Sequence, residues 1–172
     1  MATNTKLVIA QAYADLIAKK NVDKVTVKDV AEACGITRQT FYYHYQDLLD
    51  VIEWSMHRLT ENMLKQSLQE NNMEDALCAF LAAAHENRYI ARKILDSQKR
   101  YQISSLIISS IRTWLTAMYQ GGKFGESVLP ENADFTIQFY TYAIAGVLLE
   151  TVMNEETDNR AKAKQIVHLM GL

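Results

Sequence analysis

Apolar residues recur at helical spacing along nearly the whole chain, and this spacing predicts its helices. The first apolar stripe, within residues 4–20, consists of Ile9, Tyr13, Leu16 and Ile17. Similar stripes predict further helices over residues 48–69, 73–85, 88–97, 98–120, 131–154 and 158–170. The 172 residues include one proline and six glycines. Because these two residue types interrupt regular structure most strongly, their scarcity indicates an all-α fold.

A short helix, a sharp turn and a second short helix are predicted between Thr26 and Tyr45. The apolar face of the first helix has the spacing i, i+3, i+4 and consists of Val27, Val30 and Ala31. Thr26 precedes this helix as its N-cap, with Asp29 in the capping-box position. Gly35 follows it, and glycine readily adopts the positive φ that a sharp turn needs. This layout is typical of a helix-turn-helix, whose second helix lies in the DNA major groove.

The second helix of this motif has a row of hydrogen-bonding side chains on its outer face. Thr37 can cap the helix, and Phe41 is predicted to face inward with Ile36. The outward row consists of Arg38, Gln39, Thr40, Tyr42, Tyr43 and His44. Arg can bind guanine and Gln can bind adenine with two hydrogen bonds, while Tyr hydroxyl groups suit phosphate oxygens. The row predicts a DNA-reading helix; the alternative is the solvated face of an ordinary amphipathic helix.

The order of residues in this segment resembles the DNA-binding domain of the TetR/AcrR family of bacterial regulators. The matching positions are Thr26-Val27-Lys28-Asp29-Val30-Ala31, Cys34-Gly35-Ile36-Thr37 and Thr40-Phe41-Tyr42-Tyr43-His44-Tyr45. The rest of the chain resembles the family only in architecture. The resemblance implies a three-helix helix-turn-helix domain over residues 1–47. A helical effector-binding and dimerisation domain would then occupy residues 48–172.

The resemblance also implies which residues contact DNA. The expected set consists of Thr26, Lys28, Thr37, Arg38, Gln39, Thr40, Tyr42, Tyr43 and His44. The first two are expected near the DNA backbone, the last three near phosphates, and Arg38, Gln39 and Thr40 near bases. The chain departs from the family pattern at Leu48, where many members have a lysine that contacts a phosphate. That phosphate contact is therefore not expected here.

The resemblance implies a transcriptional regulator that is not an enzyme and that binds a palindromic operator as a homodimer. The simplest form is a repressor controlled by an effector. The segment from His85-Glu86-Asn87-Arg88 onward also looks distantly like the branch that includes regulators of dihydroxyacetone kinase operons, in which the inducing partner is a protein. An activator controlled by a protein partner is therefore an alternative. The effector can be a small molecule or a protein.

An effector pocket is predicted among aromatic and methionine side chains of the second domain. Its candidate lining consists of Trp54, His57, Phe80, Trp114, Met118 and Tyr140, with Met56, Phe139 and Tyr142 as further candidates. Such residues at helical spacing are also typical of a hydrophobic core, which is the alternative interpretation.

Dimerisation is predicted through the last two helices, which in the family form a four-helix bundle with the partner's pair. The small residues that would allow close helix approach are Ala143, Ala145 and Gly146. The apolar residues that would form the seam are Leu148, Leu149 and Val152. The alternative is that this helix is the buried centre of a monomer.

The charge balance gives the DNA-binding interpretation little help. The net charge is −2, and residues 19–45 contain five Lys or Arg against three Asp or Glu. Specific binding therefore cannot rest on a broad basic face, and two copies with their helix N-termini must contribute. The near-neutral charge also motivates another alternative, a helical protein-interaction module whose Tyr- and His-rich helix binds a protein.

The remaining residues indicate neither a catalytic centre nor a metal or cofactor site. The chain lacks a Gly-rich phosphate loop and the HExxH and GxSxG motifs, and no histidine has a His or Cys three or four residues later. Cys34 and Cys78 are far apart, which favours reduced thiols in a cytoplasmic protein. The N-terminus lacks the apolar core of a signal peptide. The apolar runs at residues 103–111 and 139–149 are expected to be too short to span a membrane.

Overall fold

The computed structural model of the chain describes residues 4–124, 130–155 and 158–172, and these residues form an all-α fold. The helices within these ranges are α1 (Thr5–Lys19), α2 (Val27–Cys34), α3 (Arg38–His44), α4 (Leu48–Gln69), α5 (Met73–Glu86), α6 (Arg88–Leu95), α7 (Arg100–Gln120), α8 (Ala133–Met153) and α9 (Asn159–Leu169). Short 3-10 turns occupy Val22–Lys24 and Pro130–Asn132. The predicted fold class is confirmed.

The helix ends lie close to the predicted ends because polar side chains mark them in the sequence. The side chain of Asp47 accepts hydrogen bonds from the amides of Leu49 and Asp50, so α4 begins at Leu48. Asn72 and Asp158 cap α5 and α9 in the same way. Each such cap is typically worth about 1 kcal/mol, because it satisfies an amide that lacks a partner within the helix. Between the predicted helices at residues 98–120 and 131–154, residues 125–129 lie outside the described ranges.

The buried residues form two clusters. The first cluster joins α1, α2, α3 and the start of α4, and it also contains Ile94, Leu95 and Ile103 from α6 and α7. The second cluster joins the end of α4 with α5, α7, α8 and α9 around Trp114, whose indole Nε1 donates to the Oγ of Ser67 over 2.9 Å. The first core therefore continues past residue 47, and the domain boundary at that residue stays a prediction.

Side chains of α6 hold the C-terminal end of α1. The Nζ of Lys93 donates to the backbone oxygens of Ile17 and Ala18, over 2.9 and 2.7 Å. The hydroxyl group of Tyr89 donates to the same oxygen of Ala18 over 3.2 Å. The last carbonyl groups of a helix lack partners within the helix and carry partial negative charge, so an ammonium group suits this position. These bonds fix α6 to the helix that also supports the helix-turn-helix.

The apolar part of α8 (Ala133–Met153) is longer than the run at residues 139–149 that the sequence analysis considered. It has 21 residues and is long and apolar enough to cross a membrane, so the expectation that its apolar run is too short is wrong. The reason is that apolar residues continue beyond both ends of the run at residues 139–149. The core helix of a globular protein can be equally long and apolar. Helix α8 buries Ile137, Ile144 and Leu148 in the second cluster. Its opposite face is exposed and includes Phe135, at 73% of its full accessibility.

The Tyr13 hydroxyl group provides a test of the first core. It is buried without a hydrogen-bond partner, and burial is the main reason that the pKa of Tyr13 is raised to about 12. Tyr13→Phe removes the unpaired group while keeping the ring, and we expect it to stabilise the protein by about 1 kcal/mol. Urea unfolding at a fixed protein concentration measures this.

The contrasting variant is Ser67→Ala, which leaves the buried indole Nε1 of Trp114 without its acceptor. This variant is expected to lose roughly 1–3 kcal/mol. A clear loss of stability in Tyr13→Phe would contradict the assignment of its hydroxyl group as unpaired.

Candidate functional site

The first helix of the helix-turn-helix begins with the predicted capping box. The backbone amide of Thr26 donates to Oδ2 of Asp29 over 2.8 Å, and the amide of Asp29 donates to Oγ1 of Thr26 over 3.2 Å. The Thr26 hydroxyl group also donates to Asp29, and Lys20 Nζ lies 3.2 Å from Oδ1 of the same carboxylate. The hydrogen bonds from Thr26, followed by that from Lys20, lower the pKa of Asp29 to about 2. The start of α2 is thereby fixed.

The turn between α2 and α3 has the predicted glycine geometry. Gly35 lies in the left-handed region with φ 67° and ψ 30°. A Cβ atom at this position would have nothing within 4 Å, so the backbone conformation and not a lack of space favours glycine. The amides of Gly35 and Ile36 donate to the oxygens of Glu32 and Ala31, which completes the C-terminal cap of α2. The turn sets the direction in which α3 leaves.

Helix α3 is anchored on its inner side. Oγ1 of Thr37 accepts a hydrogen bond from the amide of Thr40 over 3.1 Å, as the predicted N-cap. Phe41 is fully buried and Ile36 is partly buried in the first core, as predicted. The Thr37 and Thr40 hydroxyl groups also lie 2.9 Å apart in a hydrogen bond, so part of their bonding capacity is used within the protein.

The outer side of α3 leaves four side chains available. Arg38, Gln39, Tyr42 and Tyr43 are exposed, with Tyr43 at 85% of its full accessibility. The Arg38 and Gln39 side chains have no hydrogen bond or ion pair within the described part of the chain. His44 is partly buried beside the ring of Tyr43, with 5.1 Å between the ring centroids. Four exposed polar side chains on a capped helix form a surface able to bind a polar partner.

Two of the predicted DNA contacts lie on α2. Lys28 is exposed, and its Nζ lies 3.6 Å from the carboxylate of Glu32 on the same exposed face. The Thr26 hydroxyl group is used in the capping box, which limits it to accepting a further hydrogen bond. Leu48, where the family lysine is missing, is buried in the first core. A packing residue has therefore taken the place of a phosphate anchor.

Two residues that support α3 were missed by the sequence analysis. The hydroxyl group of the buried Tyr45 donates to the backbone oxygen of Lys6 over 3.1 Å, and the Lys6 Nζ lies 5.0 Å from the centre of the Tyr45 ring. Burial raises the pKa of Tyr45, so its hydroxyl group stays protonated and able to donate. The position of Tyr45 four residues after Phe41 was the available signal, because this spacing places both on one face. Together they hold α3 against α1.

A cavity of about 430 Å³ lies among α1, α4, α5, α6, α7 and α8. Of the predicted lining, Trp54, Met56 and Phe80 are present. The wall formed by α1 was not predicted; it includes Leu7, Ala10, Gln11 and Ala14. Only the folded arrangement brings this helix beside the second domain, so no local sequence signal could have revealed it.

The structure places the other candidate pocket residues away from this cavity. Trp114 and Met118 are fully buried in the second core, and Tyr140 packs against it. His57 is exposed, with its Nδ1 3.6 Å from the carboxylate of Glu61. The additional candidates on the exposed face of α8 are Phe139 and Tyr142. For these positions the alternative interpretations, core and surface, describe the structure better than a pocket does.

Comparison with protein-family models agrees with this geometry. Residues 9–47 match the model for bacterial regulatory proteins of the tetR family. Residues 71–170, more than half of the chain, match the family's model for the transcriptional regulator C-terminal region. The chain belongs to the tetR family. The prediction of a DNA-binding transcriptional regulator rather than an enzyme is thus confirmed at the level of the family.

Several tetR-family relatives are similar to this chain. The dhaKLM operon transcriptional activator DhaS of Lactococcus lactis is 24% identical over 103 residues, which are 60% of this chain and 55% of DhaS. TtgR of Pseudomonas putida is 25% identical over 80 residues, 45% of this chain and 38% of TtgR. The matched region thus spans about half or less of these relatives. A solved DhaS structure, 21% identical, superposes with a TM-score of 0.72 over 97% of this chain and 94% of DhaS, which confirms the fold.

The capping box of this tetR-family chain can be tested through the titration of Asp29. Thr26→Val removes the largest cause of its low pKa and is expected to raise that pKa toward the ordinary value of about 4. Lys20→Met should raise it less. Because the folded-state pKa is depressed, the stabilisation is present above the unfolded value and is lost as pH falls toward 2. Carboxyl NMR titration measures the shifts, and a larger effect of Lys20→Met would contradict this order.

Proposed function

We propose that this tetR-family chain is a homodimeric regulator that reads a palindromic operator with α3 of each protomer. The observation that carries the proposal is the outer face of α3, where Arg38 and Gln39 are exposed and unengaged on a helix capped at its start and packed through Phe41. These two side chains have the bidentate geometry that suits guanine and adenine. A rigid scaffold with free polar groups favours base reading over a merely solvated face.

The other predicted contacts then position the helix on the DNA. Tyr42, Tyr43 and His44 lie further along the same side, where their polar groups suit phosphate oxygens. Thr37 and Thr40 lie at the N-terminal end of α3, whose amide groups also favour a phosphate. Thr26 and Lys28 approach the backbone from the start of α2. Because DNA is the target, we infer that the protein acts in the cytoplasm.

The exposed face of α8 supports dimerisation through the last two helices. Its apolar stripe has alternating spacings of four and three residues and consists of Phe135, Phe139, Tyr142, Gly146, Leu149 and Met153. This is the spacing of a coiled-coil seam. A Cβ atom at Gly146 would meet nothing within 4 Å, so a partner helix can approach closely there. Leu169, at 80% of its full accessibility, extends the apolar surface onto α9.

Three of the residues that were predicted for the dimer interface do not lie on the exposed face of α8. Ala145, Leu148 and Val152 are buried within the protomer, whereas Ala143, Gly146 and Leu149 are exposed. The helix is thus both a core element and a candidate interface, since its two faces are apolar. An apolar stripe of this length is unusual on a monomer, which supports its use as an association surface.

We propose that the regulator is a repressor controlled by an effector. A specific observation favours the alternative of an activator: the relative DhaS is described as a transcriptional activator. The two can be separated by deleting the gene and measuring transcription of the adjacent operon. Loss of a repressor raises transcription, and loss of an activator lowers it.

Operator binding can be tested with DNA from upstream of the regulator's own gene. Arg38→Ala is expected to weaken binding by roughly 5- to 150-fold for each half-site and to relax the preference at one base pair in each, because it removes a bidentate base contact from each protomer. Lys28→Met should weaken binding to all sequences alike and lower the salt slope by about one for each protomer. Fluorescence anisotropy over a salt series measures both quantities.

The control for this experiment is Arg100→Ala, which removes an exposed arginine at the start of α7 and should leave DNA affinity unchanged. Equal binding of unrelated DNA at every salt concentration would contradict operator reading. No detectable binding to any DNA would favour the helical protein-interaction module.

The dimer can be tested with Phe139→Lys, which places a charge in the centre of the α8 stripe. An unpaired buried charge costs several kcal/mol, so the dimer dissociation constant should rise by at least about 100-fold. Sedimentation equilibrium measures it, and operator affinity should fall in parallel. Tyr101→Lys, at an exposed position of α7 away from the stripe, is the matched control. An unchanged dimer in Phe139→Lys would exclude this face as the interface.

A further inference from the structure

The cavity among α1, α4, α5, α6, α7 and α8 has walls from both core clusters. On one side lie residues of α1 and α6 that belong to or pack against the first cluster, including Ile17 and Ile94. On the other side lie Phe80 and Ile111 of the second cluster. A molecule in this space would touch α1, the helix that holds α3 through Tyr45, without any intermediate. The cavity is thus placed where a ligand contacts the support of the DNA-reading helix directly.

The charges of the lining residues limit which class of ligand the cavity can bind. Arg58 of α4 is the one charged residue among the lining residues, and the remainder are apolar or carry neutral amide and hydroxyl groups. Its guanidinium carbon lies 5.5 Å from the centre of the Trp54 ring, and Arg58 forms no ion pair within the described part of the chain. An ammonium head group would find no carboxylate among the lining residues, whereas an anionic head group can bind the guanidinium of Arg58.

The positions of exposed and buried lining residues indicate how a ligand would be oriented in the cavity. Arg58 and Asn62 on α4 and Gln11 on α1 are exposed lining residues, so polar groups are available at the mouth between these two helices, beside the exposed Leu7 and Leu59. Ile17 and Ile111 are almost completely buried and mark the interior. A molecule with a polar head at the mouth and an apolar chain inside would match both regions. The lining therefore favours an amphipathic ligand over a uniformly polar one.

The volume gives the approximate length of the apolar part. A dry protein cavity of about 150 Å³ is known to hold one benzene molecule. The cavity of about 430 Å³ is nearly three times as large. It therefore has room for roughly 17 non-hydrogen atoms on this scale.

We propose that this cavity binds a single-chain anionic amphipath, with its anionic group at Arg58 and its chain among the isoleucines of α1, α6 and α7. The proposal names the effector class and in that respect rests on the proposed function. Ala91 and Ile94 of α6 line the cavity, while Tyr89 and Lys93 of the same helix hold the end of α1. Occupancy therefore acts on α1 through its own wall and through α6. It changes operator affinity if the ligand prefers one of the two conformations.

Ligand binding is tested with the purified full-length protein and the fluorescent apolar probe N-phenyl-1-naphthylamine. Dodecanoate, dodecan-1-ol and dodecylammonium, each below its micelle concentration, compete for the probe. Dodecanoate should displace it best, and its dissociation constant should be at least about tenfold lower than that of dodecylammonium. Equal or better displacement by dodecylammonium would overturn the proposal.

Two variants locate the site. Arg58→Met should lower the affinity for dodecanoate to that for dodecan-1-ol, and the affinity for dodecan-1-ol itself should stay unchanged. Arg100→Met is the matched control. Ala14→Phe fills the cavity from α1 and should abolish probe binding, whereas Gln66→Phe adds the same ring at an exposed position of α4. If Ala14→Phe fails to fold by circular dichroism, Ala91→Leu replaces it. Retained probe binding in a folded cavity-filling variant would overturn the site.

Operator binding with and without dodecanoate separates this inference from the proposed function. A change in operator affinity that is lost in Arg58→Met supports both. If dodecanoate binds as expected and operator affinity is unchanged, the ligand site is supported and its role as the effector site is overturned. If the protein binds dodecanoate and shows no sequence preference for DNA, the ligand site is supported and the proposed function fails.

Discussion

Helix α1 is bonded to the DNA-reading helix near one end and to the second domain at the other. Near its start, the backbone oxygen of Lys6 accepts the hydroxyl group of Tyr45, which follows α3. At its end, the oxygens of Ile17 and Ala18 accept hydrogen bonds from α6. Ile9, Tyr13 and Ile17 between these ends are buried in the first core. Helix α1 thus connects α6 to α3 as one continuous, packed helix of 15 residues.

Because the chain has few positive charges near α3, the way in which α1 supports α3 becomes more important. With a surplus of two positive charges over residues 19–45, one protomer has a weak electrostatic attraction for DNA. Leu48 is buried at the position where many family members have a lysine. In the proposed dimer, affinity would then come from two α3 helices engaging two half-sites at the same time, and it would depend on their separation.

The elements set by local chemistry were predictable from the sequence. Thr26 with Asp29, Gly35, Thr37 and Asp47 fix helix ends through bonds within a few residues, and all of them have the predicted geometry. The properties that depend on packing between distant helices were not predictable. Helix α8 is apolar on both sides, so its sequence could not show which face is buried and which is exposed.

The cavity also depends on packing between distant helices. Trp54 and Phe80 were predicted by residue type, but Trp114, of the same type, is a core residue that bonds to Ser67. The position of α1 decides which of these aromatic residues line the cavity. Its small residues Ala10 and Ala14 leave space opposite α4. Alanine at these positions is compatible with any helix surface, so the sequence does not mark it as a wall. A larger side chain at either of these alanines would fill the space that the proposed ligand occupies.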